Sequence, residues 1–149
     1  MREQRHLGLD VGERRIGVAL SDASGRLATP LTTIGAVPQA QAIARIAALC
    51  AEHEVVAVVI GLPLTMRGEV GPQAETVRRF GEALAAGVAL PIDYFDERLT
   101  SAAAEQLLRE MGVKPEKRKL QIDQVAASII LQDYLDSRRN GPADSSHLV

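Results

Sequence analysis

The chain has 149 residues, 46% hydrophobic and 24% charged, with a formal net charge of -2. Such a composition supports one globular domain with its own core and argues against a disordered segment. Aromatics at 3%, with no Trp, argue against a single-strand binder built on stacked rings, and the balanced charge against a protein wrapped in a general basic field.

From about His6 to Ile34 the pattern is extended. His6–Val11 is short and apolar; Ile16, Val18 and Leu20 then alternate with Gly17, Ala19 and Ser21; Ala23–Arg26 has turn composition; and Leu27–Ile34 resumes the extended pattern. Three strands on short turns predict an antiparallel meander. Pro38 opens an Ala-rich helix to about Glu52, carrying Ile43, Ile46, Ala47 and Cys50 at helical spacing. Cys50 lacks a partner for an internal disulfide, fits a reducing compartment and reads as a small buried apolar residue. Val55–Ile60 is a continuous apolar run, expected of a central strand covered on both faces. A glycine-containing loop over Gly61–Gly71 leads to a helix from Pro72 with Val77, Phe80, Leu84 and Ala85 on one stripe. Pro91–Phe95 predicts another strand, and Thr100–Met111 and Ile122–Leu135 predict two more helices.

The order βββαβαβα-α predicts an α/β, RNase H-like fold: a mixed five-stranded sheet, an antiparallel meander and then parallel strands, with helices on both faces. Residues 1–138 read as one domain, and 139–149, with Asn140, Gly141, Pro142 and Asp144, as a flexible C-terminal tail. No apolar signal core opens the sequence and no run reaches membrane-spanning length, so a cytoplasmic protein without membrane partners is expected.

Three carboxylates stand out. Asp10 shares one face of its strand with Gly8 and Gly12, which leaves space for a metal or a bulky anion; a strand-end Asp bonding a turn amide is the plainer alternative. Glu97, beside Asp96, falls where a parallel strand ends, the edge at which open α/β sheets gather ligands. A solvated acidic pair neutralised by Arg98 is its alternative, with Thr100 or Ser101 capping the next helix. Asp123 lies beside the inward stripe of Ala127, Ile130 and Tyr134, at the expected start of the last helix, where a helix dipole also favours it. Converging at one sheet edge, three oxygen ligands without His or Cys select a hard cation, Mg²⁺ or Mn²⁺, and two such ions would clamp a phosphate. His6, His53 and His147 share no spacing with this set and read as surface residues. Asp96, Gln121 and Gln124 are near enough in sequence to supply a fourth ligand.

From Leu7 to about Leu135 the chain resembles the YqgF/RuvX-type family, described both as pre-16S rRNA nucleases and as Holliday junction resolvases. The resemblance rests on Gly8-Leu9-Asp10-Val11-Gly12, Arg15-Ile16-Gly17-Val18-Ala19, Ser21-Asp22, Gly61-Leu62-Pro63-Leu64, Gly71-Pro72-Gln73-Ala74, Asp96-Glu97-Arg98-Leu99-Thr100-Ser101, and Asp123 with Ala126-Ala127 and Ile129-Ile130-Leu131. It implies phosphodiester cleavage with divalent metal, and Asp10, Glu97 and Asp123 as the acidic site. Two positions depart from the family pattern. Thr65-Met66-Arg67-Gly68 stands where Asn-Met-Asp-Gly is usual, and Arg15 where Lys is common. Arg15, Thr65, Arg67 and Lys119, the last within a Lys114–Lys119 basic run, are candidates for phosphate contact; a solvated basic loop is the alternative for that run.

Three functions follow. A metal-dependent nuclease would process the 5′ end of pre-16S rRNA or resolve a branched DNA junction, and paired junction cuts call for a two-fold homodimer where RNA trimming needs only a monomer. A sugar- or acetate-kinase-like phosphotransferase would match Asp10-Val11-Gly12 but needs two such domains, more than 149 residues supply. A non-catalytic RNA-binding or transcription-associated module would need none of the three carboxylates.

Overall fold

The computed structural model describes residues 4–97 and 100–148; the side chains of 100–102, 119–120 and 140–148 lie outside that description. The elements run β1 (His6–Val11), β2 (Arg15–Ser21), β3 (Ala28–Gly35), α1 (Gln39–Glu52), β4 (Ala57–Leu62), α2 (Pro72–Val88), β5 (Ile92–Asp96), α3 (Thr100–Glu110) and α4 (Pro115–Leu148). They form one five-stranded sheet in the order β3-β2-β1-β4-β5. The β1–β2 and β2–β3 pairs are antiparallel, and β1–β4 and β4–β5 are parallel. This is the meander followed by parallel crossovers that the hydropathy pattern predicts.

Strand alternation sorts the two faces. Leu7 and Leu9 of β1, Ile16 and Val18 of β2, and Val58 and Ile60 of β4 turn to one side, where Ile46 and Cys50 of α1 and Val77, Phe80 and Leu84 of α2 cover them. On the other side Ala19 and Val59 meet Ala127, Ile130, Leu131, Tyr134 and Leu135 of α4. The helix α3 packs on α4 through Ala104, Leu108, Val125 and Ala126. Pro30 is tolerated because β3 is an edge strand. The β2–β3 turn is organised by the Asp22 carboxylate, which accepts the amide N–H groups of Arg26 at 2.9 Å and Leu27 at 3.3 Å.

Three readings of the sequence need correction. The strand expected over Val55–Ile60 is Ala57–Leu62, because the chain leaves α1 through Glu54 at φ 54°, with the Val55 amide still bonded to the Cys50 carbonyl. The last helix begins at Pro115, not Ile122: the Lys-rich stretch was too polar to show a stripe, yet its Glu, Lys, Arg, Leu and Gln are strong helix formers and proline suits a first helical turn. Its helical backbone also continues through Leu148, beyond the start of the expected tail. Finally, His6 is not a surface residue. It is 5% exposed, its Nδ1 lies 2.8 Å from the Gln4 carbonyl, and its ring sits 6.0 Å from that of Tyr134.

Candidate active site

The three carboxylates are brought together by glycines under α4. In the β1–β2 register Asp10 stands opposite Gly17. The backbone of Asp123 passes so close over Gly17 that any Cβ there would overlap its carbonyl. Only glycine allows this approach, and it fixes Asp123 beside Asp10. Arg15 lies two residues from Gly17, hence on the same face of β2, and its Nε donates to Asp123 Oδ2 at 2.7 Å. Asp123 therefore sits in the third turn of α4, not at the helix start, and the helix dipole does not account for it.

Glu97 arrives from the other side. It follows β5 directly, and its amide donates to the Leu62 carbonyl at 3.2 Å. Its side chain lies over Gly61, where a Cβ would stand 3.0 Å from the Glu97 carboxyl carbon and 2.5 Å from Ile130 Cδ1. From there Glu97 is hydrogen-bonded to Asp10. Asp96 adds its charge to the neighbourhood of Glu97.

Burial first, and then the nearby Asp123 charge, push the Asp10 carboxyl up to about 6, against the opposing effect of its hydrogen bond with Glu97. Burial, the Asp10 charge and the hydrogen bond to Asp10 push Glu97 up to about 8. Near neutral pH the pair therefore holds one proton between two oxygen acids, Glu97 donating to Asp10. Such a site is short of positive charge. Arg15, 58% exposed, supplies some of it to Asp123, which is 21% exposed. Among the described residues no group of three His, Cys, Asp or Glu stands at metal-holding separations as it is. The donor set is nonetheless all oxygen and matches a hard divalent cation, with a shared proton where a cation would bring charge.

The remaining candidates divide. Arg15 joins the site. Thr65 closes a turn: its hydroxyl accepts the Glu69 amide at 3.1 Å, and its amide donates to the Glu69 carbonyl at 2.8 Å. Arg67 is exposed in that turn. Lys119 precedes Asp123 by one helical turn, but its side chain lies outside the described residues, as do Arg98 and the side chains of Thr100 and Ser101. Gln124 accepts the Thr33 hydroxyl at 3.2 Å, which commits it to β3. His53 pairs with Glu52 at 3.3 Å, and His147 lies outside the described side chains.

Sequence reasoning missed two features. One is the role of Gly17 and Gly61 as the floor on which Asp123 and Glu97 rest; glycines facing a predicted helix are a signal, but the partner is invisible without the fold. The other is a groove of about 520 Å³ that starts at Val11, next to Asp10, and runs between Gly12 and Glu13 and the first turns of α2, at Pro72, Gln73 and Thr76.

Comparison with known proteins bears on the family and the fold. A family model described as "RuvX: Holliday junction resolvase" matches residues 4–137. A Chloroflexus aggregans protein named "Putative pre-16S rRNA nuclease" is 69% identical over 94% of this chain and 99% of its own length. A Streptomyces coelicolor protein of the same name is 48% identical over 93% of this chain and 84% of its own length. Among solved structures, Thermus thermophilus RuvC in complex with a Holliday junction substrate superposes with a TM-score of 0.56 at 15% identity, covering 91% of this chain and 96% of that one. The fowlpox virus Holliday junction resolvase gives 0.56 at 12% identity, covering 90% and 99%. The two superpositions establish a shared fold, and the sequence matches establish kinship: the chain belongs to the RuvX family.

Proposed function

We propose that the protein is a divalent-metal-dependent nuclease whose metal ligands are Asp10, Glu97 and Asp123, and whose substrate is the 5′ end of pre-16S rRNA. The observation that carries this reading is the convergence of the three carboxylates at the carboxyl edge of the sheet: the Asp123 backbone rests on Gly17 opposite Asp10, and Glu97 lies over Gly61, hydrogen-bonded to Asp10. Mg²⁺ or Mn²⁺, as a pair of ions, would supply an activated water and charge neutralisation at a phosphodiester. To hold them, Glu97 gives up its proton and Asp123 exchanges part of its bond to Arg15. Arg15 is then available to a substrate phosphate, with its five donors set at the mouth of the site. Arg67 and Lys119 extend that contact, and Thr65 shapes the turn that carries Arg67. The groove along Gly12 and α2 receives nucleotides next to the scissile bond.

Residues 1–138 act as the nuclease domain and 139–149 as an appended tail. The protein works in the cytoplasm, in keeping with its single buried cysteine; no helix among the described residues is long and apolar enough to cross a membrane.

The experiment incubates purified protein with 5′-extended 16S precursor and, separately, a four-way DNA junction, in Mn²⁺, Mg²⁺ or EDTA, beside Asp10→Asn. Metal-dependent shortening of the precursor, absent in the variant, is the expected result. Cleavage of the junction in preference to the precursor supports the second reading, junction resolution, which the description of the matching family model favours and for which paired cuts call for a two-fold homodimer. No cleavage of either by folded protein with metal leaves the non-catalytic binding module.

A further inference from the structure

The helix α4 runs antiparallel to β1, so its carboxyl half reaches the edge of the sheet opposite the acidic site. There a cavity of about 300 Å³ is lined by Gln4, His6, Ser24, Arg26, Arg138 and Arg139, with no carboxylate among its lining residues. Of the nearby acids, Asp136 is ion-paired with Arg139 of the cavity wall, and Asp93 and Asp22 are turned to other partners. Asp93 accepts the Tyr134 hydroxyl at 2.8 Å; Asp136 accepts from Gln132 at 3.0 Å and from Arg139; and Asp22 accepts amides of its own turn and the Ser24 hydroxyl.

Two of the three arginines are also held in place. The Arg138 guanidinium donates to Tyr134 Oη at 2.8 Å and lies 5.5 Å from the centre of that ring. Arg139 donates through one nitrogen to the Arg26 carbonyl at 3.0 Å and through the other to Asp136. Each fork keeps further N–H donors beyond those bonds. Two positioned guanidiniums, with the Arg26 side chain lining the same concave polar surface, are the chemistry of a phosphate clamp.

We propose that this cavity is a second nucleic-acid site, binding the phosphate backbone of the substrate at a distance from the cut. The proposal rests on the nuclease reading for its ligand. Asp123 and Arg138 are fifteen residues apart on α4, about 22 Å along the axis, which corresponds to about six to eight nucleotide steps, the larger number for the shorter step of an A-form RNA duplex. A substrate reaches both sites only when it extends at least that far to one side of the scissile bond.

The test uses full-length protein and two duplex RNAs, one extending well beyond eight steps from the cut and one stopping short of six. Cleavage in Mn²⁺ and binding by fluorescence anisotropy are read in parallel over a salt series. The variants are Arg26→Gln/Arg139→Gln and the charge-keeping Arg26→Lys/Arg139→Lys, with thermal unfolding confirming that each folds. Expected for the Gln pair on the long RNA is roughly tenfold weaker KM and binding at unchanged kcat, with a salt slope shallower by about 0.9 for each arginine removed. The short RNA is unaffected, and the Lys pair restores most of the loss. Inorganic phosphate, titrated alone, does not displace the long RNA at equal ionic strength. Wild-type KM, binding and slope for the Gln pair on the long RNA overturn the proposal, as does displacement by free phosphate. If neither RNA is cut but the Gln pair still weakens long-RNA binding, the second site stands and the nuclease reading falls.

Discussion

The fold buries Glu97 and Asp10 in hydrogen-bond contact, and burial pushes both carboxyls up, so the stability of the metal-free protein should depend on pH. Both carboxyls are raised above their unfolded values, so the folded state holds protons that the unfolded chain has already lost between about pH 4 and pH 8. The stability from this pair is fully present below the unfolded values and is lost as pH rises through the folded ones. Each pH unit over which the fold retains one extra proton costs about 1.4 kcal/mol of stability. Thermal unfolding in EDTA should therefore give a midpoint that falls from pH 5.5 to pH 8.5, with the fall reduced in Asp10→Asn. A flat profile in both proteins contradicts the shared proton. Arg15→Gln tests a second residue-scale claim. With its guanidinium gone, Asp123 is released to the cation, so Mn²⁺ binds several-fold more tightly while KM for RNA rises. Unchanged affinity for both makes Arg15 a bystander.

At the scale of elements, the site depends on how closely α4 and Glu97 approach the sheet. A methyl at position 17 would collide with the Asp123 backbone carbonyl, which cannot swing away as a side chain does. Gly17→Ala should lift α4 and cost about 1–3 kcal/mol or more of stability, together with most of the activity. A methyl at position 61 meets the movable ends of Ile130 and Glu97 instead. Gly61→Ala should unfold nearly as the wild type does yet lose cleavage, because Glu97 is displaced from Asp10. Chemical denaturation beside the cleavage assay separates the two, and an equally active Gly61→Ala would show that cleavage does not depend on where Gly61 lets Glu97 lie.

Across the whole molecule, local patterns made much of this legible. Alternation in Leu7-Gly8-Leu9-Asp10 identified the face carrying Asp10, and the apolar run before Gly61 marked a central strand; both signals depend on near neighbours in sequence. The start of α4 was hidden because a lysine-rich first turn has no apolar stripe to display. The burial of His6 was hidden because its covering residue, Tyr134, lies at the far end of the chain. For the same reason the sequence could nominate Asp10, Glu97 and Asp123 separately but not the hydrogen bond that couples two of them or the arginine that holds the third. The net charge of -2 averages over two local features, the cluster of Asp10, Glu97 and Asp123 at one end of the sheet and the cavity lined by Arg26, Arg138 and Arg139 at the other.

Calorimetric titration of Mn²⁺ near pH 7, in two buffers of different ionisation enthalpy, decides whether Asp10, Glu97 and Asp123 hold the catalytic metal. Binding should release about one proton, the one shared by Asp10 and Glu97, and both the binding and the proton release should be lost in Asp10→Asn. Binding that survives in Asp10→Asn, or that proceeds with no proton released, would place the metal elsewhere.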